Sequence, residues 1–176
     1  AANQGQVYEA FNMASRWGLP IVFAIENNQY AMGTSVTRSS AETEFYRRGT
    51  AFRIPGMDVN GMDVLEVRQA TEIAVQHVRG GGGPVLMELN TYRYRGHSMS
   101  DPAKYRTREE VQGVREKSDP IDHARAELIE RGVSEDRLKD IEKQIRAKVA
   151  EAADFAESSP EPSPSELYTD VLVGAY

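Results

Sequence analysis

Glu26-Asn27-Asn28-Gln29-Tyr30 places a carboxamide pair directly behind an apolar run, Ile21-Val22-Phe23-Ala24-Ile25. A buried strand that ends this way points polar oxygens at the C-terminal edge of a sheet, where open α/β folds bind their ligands. A hard divalent cation carrying a diphosphate takes oxygen ligands. One asparagine side-chain carbonyl and one nearby backbone carbonyl supply two of them without adding charge. The competing reading of the pair is a type I′ or Asx turn behind a strand. Of the three histidines, His97 alone lies outside a helical pattern, in the loop after a strand that should end at the same edge. A loop histidine suits proton work near neutral pH, and it is equally an ordinary surface residue. His77 and His123 sit in helical segments beside charged residues and read as solvated.

The elements that must hold these residues follow from periodicity. Val7, Ala10, Phe11, Ala14 and Trp17 fall on one face of a helix over about Gln4–Trp17, stopped by Gly18 and Pro20. The strand after it shows no polar alternation, so both its faces should be covered, as in a parallel sheet. Ser39 and Ser40 are positioned to cap a short helix through Phe45 and Arg47 that ends at Gly49. Residues 54–60 suggest a turn and a short strand. Asp63 should cap a helix whose apolar face is Val64, Val67, Ala70, Ala74 and Val78. Gly80–Gly83 break it before the strand Pro84–Leu89. Helix, strand, helix, strand with short connections predicts right-handed βαβ units and an α/β doubly wound parallel sheet. Strands beginning at Ile21 and Pro84 would expose apolar edges unless something covers them.

From Gly96 to about Glu110 periodicity is lost, and Ser, Pro, Asp, Arg and Tyr dominate. A polar loop of that length is expected to be functional or mobile. C-terminal helices follow over Pro120–Arg131 and Glu135–Phe155, the second with Leu138, Ile141, Ile145, Val149 and Ala152 on one stripe. Its charges read as a solvated surface. Ser158–Ser165 holds three prolines and reads as an extended linker, and Leu167–Tyr176 as a docking tail. The organisation expected is one domain over 1–157 with a linker and tail over 158–176. With 40% hydrophobic and 27% charged residues and no run long enough for a membrane span, the chain reads as globular with no membrane partner. A net charge of −6 argues against a nucleic-acid surface. The absence of cysteine excludes disulfides and thiolate metal sites.

Three longer strings carry a resemblance. The first is Ala1-Ala2-Asn3-Gln4-Gly5-Gln6-Val7-Tyr8-Glu9-Ala10-Phe11-Asn12-Met13-Ala14. The second is Glu26-Asn27-Asn28-Gln29-Tyr30-Ala31-Met32-Gly33-Thr34. The third is Tyr92-Arg93-Tyr94-Arg95-Gly96-His97-Ser98-Met99-Ser100-Asp101-Pro102. Together they resemble the alpha subunits of the pyruvate dehydrogenase component, in the thiamine diphosphate-dependent 2-oxo acid dehydrogenase family. The likeness runs from Ala1 to about Tyr168, in the expected order.

The resemblance implies a thiamine diphosphate-binding fold and a motif of Gly-Asp-Gly followed some two dozen residues later by Asn-Asn. Its first part would lie just before Ala1, so the fold is expected to be incomplete at the N-terminus, with residues 1–26 as the spacer. It implies that Asn28 gives its side-chain oxygen and Tyr30 its main-chain carbonyl to Mg²⁺. Backbone N–H groups at the start of the first helix, around Ala1 to Asn3, would face the diphosphate, or Asn3 would simply cap the helix. Arg93 falls where related subunits place an arginine near the diphosphate, with a surface salt bridge as its alternative role. His97 is implied to contact the cofactor region and to assist acyl transfer to a lipoyl arm. Oxidative decarboxylation of pyruvate is the implied reaction. A beta subunit in a heterotetramer of two alpha and two beta subunits, and the lipoyl domain of dihydrolipoamide acetyltransferase, are the implied partners. This chain alone is expected to be inactive. A branched-chain 2-oxo acid or acetoin dehydrogenase subunit, or a non-catalytic module of the same fold, are the rival readings.

Ser98 matches a serine phosphorylated in mitochondrial members of the family. Here Arg95 stands where those enzymes have histidine, and Ala103-Lys104-Tyr105 lacks a second serine. A bacterial, cytoplasmic enzyme is the expectation, with the mitochondrial matrix as the alternative.

Overall fold

The computed structural model describes residues 1–170. They form two compact units that divide after Glu127. In the first, helix α1 (Gly5–Trp17) is followed by strand β1 (Val22–Asn27) and a small hairpin of β2 (Tyr30–Ala31) and β3 (Thr34–Ser35). A one-turn helix α2 (Val36–Ser39) and a 3₁₀ helix (Phe45–Phe52) lead into β4 (Gly56–Asn60), α3 (Val64–Arg79) and β5 (Val85–Asn90). After the loop come α4 (Arg108–Ser118) and α5 (Pro120–Glu130), the last three residues of which fall in the second unit.

The sheet is parallel, in the order β1-β5-β4. Strand β5 is therefore central, so the edge expected at Pro84 is paired on both sides, and the open edges belong to β1 and β4. Alternation along β5 divides the core. Val85 and Met87 pack with Val59 against Ala70, Ala74 and Val78 of α3. Leu86 turns to the other face and packs with Ile54 against Phe11 of α1. Phe11 is 1% exposed, and its ring meets Phe23 edge-on at 4.8 Å. Burying a side chain of that size is worth about 1.5–3 kcal/mol, enough to seat α1 on the sheet. Layers on both faces are the doubly wound arrangement expected of an α/β sheet.

Several local expectations change. Beyond Val22, strand β1 is covered on one face only: Phe23, Ile25 and Asn27 turn inward while Ala24 and Glu26 are exposed. Among the described residues β1 pairs on one side only, whereas β5 is paired on both. On α1 only Phe11 and Ala14 are buried, and Trp17 stays 62% exposed. Gly18 closes that helix at φ +61, a conformation that a Cβ would strain. Asp63 does cap α3, accepting from the Leu65 and Glu66 amides, but Val64 in its first turn faces solvent. Ser39 and Ser40 do not cap the Phe45 helix. They end α2 instead, because Val36–Ser39 takes the helical turn first.

His77 and His123 are more than solvated. The Nε2 of His77 lies 2.9 Å from the Gly82 carbonyl and that of His123 lies 3.0 Å from the Lys117 carbonyl, so each ties down a helix end.

The second unit holds α6 (Glu135–Ser158), capped by Ser134, and a 3₁₀ turn over Pro164–Tyr168 that closes the proline-rich stretch. Leu138 is buried, while Ile145 and Val149 on the same stripe are open. Arg146 pairs with Glu142 at 2.6 Å on the charged face. The last six residues of the proposed docking tail lie outside the described residues.

Candidate functional site

Parallel register brings three asparagines into line at the C-terminal ends of the strands: Asn27 opposite Asn90, and Asn90 opposite Asn60. The strand runs two residues further than its apolar core, so Asn27 lies inside it, 6% exposed. Its Nδ2 donates to Glu88 Oε1 at 2.7 Å, and its Oδ1 accepts from the Gln29 amide at 3.1 Å. Gln29 then adopts φ +71, an uncommon conformation for a residue with a Cβ, with its N–H held by Asn27. Asn28 accepts from the Tyr30 amide at 3.4 Å, a long contact that leaves its oxygen available. The turn reading of the pair is therefore observed, and the turn leaves the Asn28 oxygen only weakly engaged.

The hairpin decides what Tyr30 can offer. Val36 N–H donates to the Gln29 carbonyl at 3.0 Å, which makes Gln29 and Val36 a hydrogen-bonded pair. In an antiparallel ladder the next pair, Tyr30 and Ser35, must be a non-bonded one. The Tyr30 carbonyl is thus not taken by its strand partner. Asn28 and Tyr30 both line a cleft of about 820 Å³. The cleft is lined by Ala1, Asn28, Tyr30, Arg93 and His97 together with apolar walls from Phe11, Phe23 and Ile25. All five residues singled out in the sequence are brought together there. Among the described residues no cluster of three or more His, Asp or Glu is arranged for a metal.

The N-terminal segment departs from expectation. The helix begins at Gly5, and Ala1–Gln4 is a separate turn in which Gln4 N–H donates to the Ala1 carbonyl. Asn3 does not cap the helix. Its amide donates to the Ser39 carbonyl and its oxygen accepts from Arg48 Nη1 at 2.7 Å. Arg48 also donates to the Ala2 carbonyl, which fastens this turn to the 3₁₀ helix.

Arg93 and His97 are coupled. Arg93 Nη1 lies 3.1 Å from His97 Nδ1, and an arginine has no acceptor, so the ring proton belongs on Nε2. Nη2 of Arg93 donates to the Met32 carbonyl and the Tyr105 hydroxyl, and its Nε is buried without a partner. These partners are neutral, which replaces the surface salt bridge that was the alternative role for Arg93. The His97 amide donates to Asp101 Oδ2 at 2.7 Å, and Ala103 N–H and Tyr105 O–H donate to the same carboxylate. Those three donors hold the Asp101 carboxyl down to about 2. Gly96 permits the closure, because a Cβ there would lie 2.6 Å from the Asp101 carbonyl oxygen.

Sequence reasoning missed the residue that organises the far side of this loop. Arg106, 8% exposed, donates to the carbonyls of Arg93 and Arg95. Its guanidinium lies within 5.2–5.5 Å of the rings of Tyr30, Tyr92 and Tyr105. Tyr92 in turn donates to Glu110 at 2.6 Å, and desolvation, with that carboxylate beside it, pushes its hydroxyl up to about 12. Spaced tyrosines around a loop arginine were the available signal. Ser98 sits exposed in the loop, its Oγ 3.1 Å from that of Ser100.

A parallel sheet with an asparagine-bearing turn, an arginine and a histidine around a cleft at the C-terminal ends of its strands defines an open α/β domain. The chain belongs to the dehydrogenase E1 component family, whose profile matches residues 1–165. It is 59% identical over 174 residues to the pyruvate dehydrogenase E1 component subunit alpha of Rhizobium meliloti (strain 1021), covering 98% of this chain and 50% of the relative. It is 56% identical over 176 residues to the subunit of the same name from Zymomonas mobilis, covering 100% of this chain and 50% of the relative. The testis-specific mitochondrial form of Rattus norvegicus is 55% identical over 169 residues, covering 95% of this chain and 43% of the relative. The chain spans about half the length of the curated relatives it matches.

Proposed function

We propose that this chain forms the alpha-subunit side of a pyruvate dehydrogenase site that uses thiamine diphosphate and Mg²⁺. The observation that carries the reading is the convergence of Asn28, Tyr30, Arg93, His97 and Ala1 on one cleft at the C-terminal edge of the sheet. The residues suit the group. Asn28 Oδ1 and the off-ladder Tyr30 carbonyl are hard, neutral oxygens of the type that Mg²⁺ takes alongside phosphate oxygens. Arg93 adds a fixed positive charge beside them. When bound, the cofactor supplies the electron sink that decarboxylation of a 2-oxo acid requires.

What this chain contributes is placement. The turn over Asn27–Tyr30 orients the metal ligands, and the apolar walls around Phe11 and Phe23 exclude water from one side of the cleft. His97 holds a proton at Nε2 because Arg93 occupies Nδ1, so it serves as a donor toward a lipoyl arm during acyl transfer. A beta subunit and the lipoyl domain of dihydrolipoamide acetyltransferase are the partners this division of labour calls for. Bacterial and mitochondrial relatives are both similar to this chain. Arg95, and the lack of a second serine after Ser98 in Ala103-Lys104-Tyr105, favour the bacterial cytoplasm.

The test is to titrate the full-length assembly with Mg²⁺ and thiamine diphosphate, then compare turnover of pyruvate with branched-chain 2-oxo acids and acetoin. Cofactor-dependent turnover that prefers pyruvate is expected. Preference for another substrate would move the chain to a sister activity, and no cofactor binding would leave an interaction module.

A further inference from the structure

Glu88 is 2% exposed in the middle of the central strand, on the face it shares with Leu86. A carboxylate in that position costs several kcal/mol unless hydrogen bonds replace its water. Both of its oxygens are used, and both by neutral donors: Asn27 Nδ2 at 2.7 Å and the Tyr46 amide at 2.9 Å. A leucine would pack there at far lower cost, so the carboxylate calls for a reason other than stability.

The reason lies in what the Asn27 amide does with its other end. A carboxamide has two faces, and Asn27 needs its oxygen toward the Gln29 N–H. Turned the other way, its NH₂ would oppose that N–H, and the turn that places Gln29 at φ +71 would lose its bond. Glu88 accepts only, so it selects the orientation in which Nδ2 faces the strand and Oδ1 faces the turn. Asn90 Oδ1 adds a second, longer acceptor for the same Nδ2 at 3.4 Å, itself steadied by Asp58 at 2.6 Å.

We infer that Glu88 is the positioning residue of the metal-binding turn. It locks the Asn27 amide and thereby sets where Asn28 Oδ1 and the Tyr30 carbonyl stand. This inference rests on the cofactor reading above for the identity of the ion, but the hydrogen-bond relay stands on the geometry alone. Partners one step behind a metal ligand usually change metal affinity by about 10- to 100-fold when altered.

The experiment uses the full-length assembly and reads Mg²⁺ half-saturation calorimetrically in the presence of thiamine diphosphate. Amide exchange at Gln29 is read without either ligand. Glu88→Gln keeps the shape but offers one oxygen and one NH₂ to two donors. It should weaken Mg²⁺ by at least about tenfold and speed exchange at Gln29. The paired exchange Glu88→Gln with Asn27→Asp restores the bonds to position 27, Tyr46 and Gln29 and gives up only the longer contact with Asn90 at 3.4 Å. The new carboxylate at position 27 would accept from the new carboxamide at position 88 and from the Gln29 N–H. The carboxamide oxygen at position 88 would accept from the Tyr46 N–H. This pair should bring both readings back toward wild type. Wild-type Mg²⁺ affinity in a folded Glu88→Gln variant overturns the inference. If that variant does not fold, the paired exchange decides: restored affinity supports the relay, and a folded pair with weak affinity overturns it. Asn28→Ala separates the two claims. Unchanged Mg²⁺ affinity there sinks the cofactor reading, whereas a loss there with none in Glu88→Gln sinks only the relay.

Discussion

Replacing Arg106 by alanine should loosen the loop that carries Arg93 and His97 without disturbing the sheet. The side chain is 8% exposed, so its removal cannot be made good by water reaching the same groups at once. It strands two carbonyls, those of Arg93 and Arg95, each at about 1–3 kcal/mol. It also removes a guanidinium from three tyrosine rings at 5.2–5.5 Å, each contact worth about 0.5–1 kcal/mol. The low ends of both ranges together amount to about 3.5 kcal/mol, or roughly 300-fold in the opening equilibrium of the loop. Amide exchange followed by mass spectrometry reads this directly. Peptides covering 93–107 should exchange roughly 300-fold faster, while α1 and α3 keep their protection. Arg106→Lys keeps the charge but not the planar fork, so it should fall between the two. Unchanged protection over 93–107 in the alanine variant would refute the reasoning, since the loop would then be held by something other than this guanidinium.

His97→Ala should leave the fold intact and lower turnover, with acyl transfer to a lipoyl acceptor affected most; a wild-type rate with that acceptor would return His97 to an ordinary loop residue. The Asp101 carboxyl titrates at about 2 when folded against 3.8 unfolded. Its contribution to holding the loop is therefore complete above about pH 4 and lost as pH falls through about 2, because the folded state binds its proton less readily than the unfolded one. Carbon-detected titration of Asp101, followed together with exchange at the His97 amide, checks the sign. Asp101→Asn should flatten that acid dependence.

The chain's hydrophobic spacing marks the longer elements α1, β1, β4, α3, β5, α5 and α6 in their order, because each must bury one face, whereas the β2–β3 hairpin and α4 went unmarked. Asp63 as a cap, Gly18 as a stop and the strand behind Asn27-Asn28 were all legible for that reason. The sequence also singled out Asn28, Tyr30, Arg93 and His97, since their types and the strings around them carry the family's pattern. Which strand is central was not legible. That β5 lies between β1 and β4 depends on pairings across the sheet, and Pro84-Val85 reads the same at an edge or in the middle. Nor could spacing reveal that Glu88 meets an amide 61 residues away, or that Arg106 sits among tyrosines from two other segments. Those contacts exist only once parallel register has aligned the strand ends. Long-range hydrogen bonds leave no periodic trace in the chain, and they were decided by the tertiary structure alone.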